Sequence, residues 1–442
     1  MRLVPAALAC SLISVAAAHA GTSAPGSDSG SGSGPGLGGA ATGPGATEVI
    51  GGSDAAPGKW PDVVAILFPD PSGQDEALCS GTLVAPTVVL TAGHCYDDTE
   101  PPLPDNVLIG TSSLAQPHDG ETIAIRAGFV YPDAETSEDV TVLVLARPSK
   151  FAPRAIATGW ASTDIVNGAA ISLVGYGAID KNATDFVNEL QEATSTITDF
   201  DCSKSSGCNV AARPDGELGA GGDGIDTCPG DSGGPLYLET SYGTFLAGVT
   251  SRSYDDAKVS CSGGGIYERP DKFVDWIEMV SGTTVSRGPV PFAAPVVAAA
   301  GASGDTMIHT NDPGSDAHHF EITVQPKHGK AGVRYDGMLR VCPDATAGAG
   351  TDSVTVKVID TNSDHRSLLV TVPVQVSDGT GSGTGSGTGS GTTCDLNEFG
   401  TQSFEGGCCD AGHRSGGAIP LAIGVLALVM RRRRVGRRSV DR

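Results

Sequence analysis

Between Val49 and about Gly282 the chain repeats one pattern, short β-branched runs cut off by Gly, Pro and Asp turns. The runs are Val63 to Phe68, Ser80 to Leu90, Val140 to Leu145, Ala170 to Val174 and Phe245 to Thr250. Strands at that spacing predict an all-β barrel or sandwich. One helix is predicted at the end of the segment, Asp271 to Val280, where Phe273, Val274, Ile277 and Val280 share an apolar face.

The rest of the 442 residues cannot belong to that one unit. Many of the 62 glycines lie in low-complexity tracts that bury too little apolar surface to offset their ordering entropy. Residues 1–20 read as a signal peptide, with Arg2, the apolar stretch Leu3 to Ala18 and an Ala18-His19-Ala20 cleavage site. Export to an oxidising compartment lets the remaining cysteines pair. Residues 21–48 read as a Gly/Ser-rich linker and propeptide, 49–282 as the first folded domain, and 283–300 as a Pro/Ala-rich linker. In 301–378, Val354 to Ile359 and Leu368 to Val376 alternate around a polar turn, which predicts a β-sandwich module. A Gly/Ser/Thr linker or stalk follows at 379–393, then a tail, 394–442, with Cys408-Cys409, the apolar run Ala418 to Met430 and Arg431 to Arg434. That run is short for a free-standing membrane span. The formal charge of −23 argues against nucleic acid as a partner of the body.

Nucleophilic acyl transfer at neutral pH needs a hydroxyl, a base held in one tautomer by a carboxylate, and N–H donors aimed at the developing oxyanion. The segment Gly230-Asp231-Ser232-Gly233-Gly234-Pro235 suits the nucleophile and the oxyanion site. It resembles the serine motif of chymotrypsin/trypsin-family serine proteases. Thr91-Ala92-Gly93-His94-Cys95 resembles their histidine motif, and Asp139-Val140-Thr141-Val142-Leu143-Val144-Leu145 their aspartate-plus-strand motif. The order His, Asp, Ser and the separations are those of the family. Trp60-Pro61, Gly175-Tyr176-Gly177 and Phe273-Val274-Asp275-Trp276-Ile277 are similar to further landmarks.

The resemblance covers about Val49 to Val280 and implies a double Greek-key β-barrel with a C-terminal helix, ahead of an Ig- or cadherin-like sandwich. It implies His94, Asp139 and Ser232 as catalytic triad, Gly230 and Ser232 as oxyanion hole, and no cofactor or metal. It implies three disulfides, Cys79–Cys95, Cys202–Cys208 and Cys228–Cys261, and leaves Cys342 without an obvious mate in its own module. Asp226 matches the pocket floor of members that cut after Arg or Lys, with Ser251, Ser253 and Gly265 around it. The family's Ser-Trp-Gly stretch reads Ser251-Arg252-Ser253 here, which places a basic residue near the expected pocket mouth. Val49-Ile50-Gly51-Gly52 resembles the activation motif whose freed amino group pairs with the aspartate beside the nucleophile, here Asp231. The expected partners are protein or peptide substrates and an activating protease in trans. The tail resembles a myxobacterial sorting signal, which implies a secreted or cell-surface protein of bacterial type. The competing class is a non-enzymatic surface protein on a protease-like fold.

Overall fold

A computed structural model describes residues 49–70, 75–96, 102–132, 139–209, 216–315, 317–363, 366–377 and 394–399. The signal peptide, the 21–48 linker, the 379–393 repeat, and the tail with Cys408, Cys409 and the arginines lie outside the described residues.

After Ser53–Asp54 (β1), six strands form a closed antiparallel barrel: Val63–Pro69 (β2), Asp75–Ala85 (β3), Val88–Thr91 (β4), Asn106–Ile109 (β5), Glu121–Val130 (β6) and Thr141–Leu145 (β7). The near-continuous apolar runs follow from burial on both faces. In β2, Val64 and Ile66 enter the barrel core, while Val63, Ala65 and Leu67 face a second core shared with the rest of the chain. In β7, Leu143 and Leu145 alternate with Val142 and Val144 in the same way. The run Ser80 to Leu90 is a hairpin rather than one strand. It breaks at Pro86-Thr87, between β3 and β4, where proline removes a ladder donor.

A one-turn helix, Trp160–Thr163 (α1), precedes a second barrel of Ala170–Gly175 (β8), Gln191–Asp199 (β9), Glu217–Ala220 (β10), Pro235–Thr240 (β11), Gly243–Ser253 (β12) and Gly265–Glu268 (β13). Its order is β9-β10-β13-β12-β11-β8, closed by the pairing of β8 with β9. Between the barrels, Arg154 clasps both oxygens of buried Asp62, at 2.6 and 2.9 Å, and Asp62 also accepts the Tyr237 hydroxyl. The predicted terminal helix starts later than expected. Pro270–Lys272 is a 3-10 turn, and Val274–Ser281 (α2) follows, ending at Gly282 in the left-handed region. No helix among the described residues is long and apolar enough to cross a membrane.

The stretch 283–300, expected to be linker, carries Phe292–Ala293 (β14) and Val296–Ala299 (β15). The later strands are Gly304–His309 (β16), His318–Val324 (β17), Gly329–Val333 (β18), Met338–Pro343 (β19), Gly350–Asp360 (β20) and Ser367–Ser377 (β21). They form two four-stranded sheets, β14-β16-β19-β18 and β15-β21-β20-β17. Val354, Val356 and Val358 on β20, with Val370, Val372 and Val374 on β21, point into one core with Leu339 and Val341 of β19.

Two features tie this sandwich down. Trp160 of α1 is fully buried in the sandwich core, and its indole N–H donates to Thr310 O at 2.8 Å. Beside it, Arg366 pairs with Asp164 of the barrel half and with Asp312 and Asp360 of the sandwich. Cys342 finds its mate in Cys394, at the far end of the Gly/Ser/Thr repeat. Ser377 and Cys394, on either side of 378–393, are therefore both tied to the sandwich.

Candidate active site

His94 stands on the 3-10 turn Gly93–Tyr96 after β4, pinned to β3 by the Cys79–Cys95 disulfide. Asp139 lies just ahead of β7, which pairs with β4 and brings the two segments together. The His94 backbone N–H donates to Asp139 Oδ1 and the ring Nδ1 meets Asp139 Oδ2, both at 2.8 Å. A side chain at Gly93 would come within 2.8 Å of Asp139 Oδ1, so only glycine allows that approach. With the carboxylate at Nδ1, the proton of neutral His94 belongs on Nδ1 and Nε2 is left to accept. Ser251, at the end of β12, donates to Asp139 Oδ2 at 2.7 Å.

The electrostatics agree with that geometry. Burial disfavours charge on His94, but the hydrogen bond and charge of Asp139 outweigh it and hold the pKa above its ordinary value. Burial likewise pushes the Asp139 carboxyl up, and the contacts with His94 and Ser251 bring it below the usual carboxylate range.

Ser232 follows Gly230 and Asp231 on the turn into β11. Its carbonyl accepts the Ser80 N–H at 2.8 Å, and Cys95 Sγ lies 3.7 Å from the same oxygen, so the serine turn packs on the histidine segment. Gly233 has φ +79°, and a Cβ there would sit 2.1 Å from Thr91 Oγ1 and 2.6 Å from Ala92 N. In this turn the N–H groups of Asp231, Gly233 and Gly234 are bonded to Cys228 O, Thr250 O and Asp231 O. The N–H groups of Gly230 and Ser232 have no partner among the described residues. Two unspent donors on one tight turn are the equipment an oxyanion needs. Clefts of 690 and 860 Å³, both walled by Glu76 and Leu78, run from His94 in the first to Gly230 in the second.

Asp231 is fully buried, its carboxylate accepting the Gly177 and Cys228 N–H groups at 2.7 and 2.8 Å. Burial, with nearby Asp226 adding to it, pushes its pKa up to about 7. Asp226 is 1% exposed and accepts N–H groups from Thr227, Ser262 and Gly264, while burial pushes it up to about 6. A Cβ on Gly265 would lie 3.6 Å from Asp226 Oδ1, so the bare glycine leaves space beside the carboxylate. Ser253 pairs with Gly265 across the strands and its hydroxyl donates to Ser260 O. Val49 and Ile50 are buried, and Ile50 O accepts the Asp226 N–H at 3.3 Å. The disulfides Cys202–Cys208 and Cys228–Cys261 are formed.

Arg252 does not lean into a pocket mouth. Its guanidinium is committed to Glu217, Gly207 O and Ser251. Glu217 and Glu268 stand in no motif of the sequence. The one available signal was a carboxylate, Glu268, closing the buried run Gly265-Ile266-Tyr267.

Two closed six-stranded barrels with these residues at their junction are the architecture of a trypsin-type protease. The family model described as Trypsin matches residues 49–277, just over half of the chain, and the chain belongs to that family. It is similar to Brachyurin from Leptuca pugilator, 29% identical over 246 residues that cover 53% of this chain and 100% of the relative. It is also similar to Trypsin from Saccharopolyspora erythraea, 31% identical over 234 residues that cover 51% of this chain and 95% of the relative. The sandwich lies beyond the family match.

Proposed function

We propose that the chain is a secreted serine endopeptidase, made as a precursor, that cuts after Arg or Lys. The observation that carries the reading is the pairing of the His94–Asp139 couple with the two unpartnered N–H groups of Gly230 and Ser232. Ser232 attacks the scissile carbonyl while His94 Nε2 takes its proton and later gives it to the leaving amine. Asp139 holds the imidazole and stabilises its cation, and the Gly230 and Ser232 N–H groups bind the oxyanion.

Asp226 supports the preference for a basic side chain, since a buried carboxylate beside the bare Gly265 suits a cation. Asp231 supports activation by cleavage of Glu48–Val49. Its buried carboxylate has two N–H donors and no cation among the described residues, and the α-amino group freed at Val49 supplies one. The bond from Asp226 N–H to Ile50 O couples insertion of that new terminus to the specificity loop. The disulfides and the signal-like start support an extracellular site of action, with the tail as a surface-attachment signal. The domain division we propose keeps 49–282 as the protease domain and assigns β14 and β15 to the sandwich.

The test is covalent labelling of activated protein with a fluorophosphonate, alongside turnover of peptide amides ending in Arg. Wild type should label and turn over, and Ser232→Ala should do neither, with kcat down by about six orders of magnitude. Undiminished turnover in Ser232→Ala would sink the proposal.

A further inference from the structure

Behind the candidate triad lies a charged cluster that the proposed reaction does not use. Strands β10 and β13 pair so that Glu217 stands directly opposite Glu268. Both are buried, at 2% and 0% exposure, and like charges directly opposite on paired strands repel. Neither carboxylate oxygen of Glu268 has a hydrogen-bond partner among the described residues, and burial, with Glu217 nearby, pushes its pKa well above the ordinary carboxylate value although the Asp139 backbone N–H and Arg252 oppose this.

Arg252 reaches this pair from β12. Its Nη2 donates to Glu217 Oε1 at 2.7 Å and to Gly207 O at 2.9 Å, and its Nη1 lies 3.7 Å from Glu268 Oε1. Glu217 is itself fixed, because its second oxygen accepts the Asn209 N–H at 2.8 Å. The same Arg252 Nη1 donates to Ser251 Oγ at 3.1 Å.

A serine hydroxyl has one proton to give and two acceptor directions. At Ser251 the guanidinium fills an acceptor direction, and the single proton goes to Asp139 Oδ2, 2.7 Å away. We propose that Arg252, anchored by Glu217, is a positioning residue that locks the Ser251 hydroxyl as a donor to Asp139 and so holds the Asp139–His94 pair in working geometry. The inference rests on reading His94, Asp139 and Ser232 as the triad. Without the guanidinium, the Ser251 hydroxyl loses the contact that fixes its direction. Losing the guanidinium also removes a positive charge bonded to Ser251 and leaves Glu217 without its cation, and both changes favour the His94 cation.

The experiment follows phosphonylation of Ser232 by a fluorophosphonate, with loss of fluoride, in activated protein from about pH 5 to pH 9, with kcat and KM on a peptide amide measured in parallel. Arg252→Met should be phosphonylated about tenfold more slowly on the high-pH plateau. Its acid limb should move up by about one pH unit, and KM should change little. Adding Glu217→Gln should return the acid limb to its original position without restoring the plateau, and it removes the stranded charge should the single variant fold poorly. Arg252→Lys, which can serve one partner at a time, should recover part of the plateau. A wild-type plateau in folded Arg252→Met overturns the proposal. So does a slow plateau whose acid limb has not moved, which marks ordinary loss of packing. Failure of the wild-type protein to label at all would overturn the triad reading itself, an outcome distinct from either.

Discussion

Replacing Arg366 by leucine tests whether the sandwich is built onto the barrels or merely strung behind them. The Arg366 side chain is 8% exposed and pairs with Asp360 at 2.9 Å, Asp312 at 3.0 Å and Asp164 at 3.1 Å. Its guanidinium also lies over the rings of Trp160 and Tyr242, at 5.2 and 5.8 Å from their centroids. Asp312 and Asp360, at 0% and 2% exposure, cannot turn to water when the cation goes. Breaking a buried pair from one side costs about 3–5 kcal/mol. For a folded unit of this size that corresponds to a fall in Tm of roughly 10 °C. In the wild type the Asp360 carboxyl is held below its ordinary pKa. Burial opposes this, and the Asn362 N–H and Arg366 prevail. Its contribution is thus present above the unfolded-state pKa and lost as pH falls through the folded one. In the leucine variant the Asp360 carboxyl loses the cation that lowers its pKa while its burial remains, so the penalty fades as pH falls and it protonates. Thermal unfolding followed by circular dichroism should show a large deficit at pH 7 that narrows towards about pH 4. A Tm within about a degree of wild type at pH 7, or a deficit that ignores pH, would refute the reasoning.

Asp226→Ser should lower kcat/KM on Arg and Lys substrates about a hundredfold, because the pocket would desolvate a cation without a partner. With Asp226 pushed up to about 6, wild-type KM for those substrates should rise as the pH drops through that value. A profile led by aromatic or small residues would refute both expectations. Purified Ser232→Ala precursor should stay uncut at Glu48 when mixed with active enzyme, since Asp226 repels an acidic side chain, whereas Glu48→Arg precursor should be cut. N-terminal analysis reads the result, and rapid cleavage at native Glu48 would mean that the specificity or the activation site is misassigned.

The sequence carried the barrels and the candidate triad because both depend on local, dense signals. Strands such as β4 and β7 are apolar and buried on both faces, and His94, Asp139 and Ser232 sit in short motifs whose glycines are required sterically, as Gly93 and Gly233 illustrate. What escaped depends on long-range pairing. Val296–Ala299 reads as Pro/Ala linker because its strand character comes from the parallel partner β21, not from its own four residues. Trp160 lies in a one-turn helix with nothing to announce that its ring fills another unit's core. Arg252 reads as a basic residue at a pocket mouth until β10 and β13 set Glu217 and Glu268 behind it.

The Cys342–Cys394 bond also decides how the molecule would carry a mechanical load. Tension applied beyond residue 399 enters at Cys394 and crosses the disulfide into β19, between β16 and β18 in the middle of its sheet. Phe399, buried and lying 4.6 Å from the Arg340 guanidinium, grips the chain a few residues further on. Load on that path passes through Cys342, and β21 is spared from being peeled off its sheet. Reducing the bond would shift the pull onto β21 and release the segment 378–393, adding about 55 Å of reach at roughly 3.5 Å per extended residue. The thiol–disulfide state of one pair would then set how far residue 399 can be drawn from the sandwich.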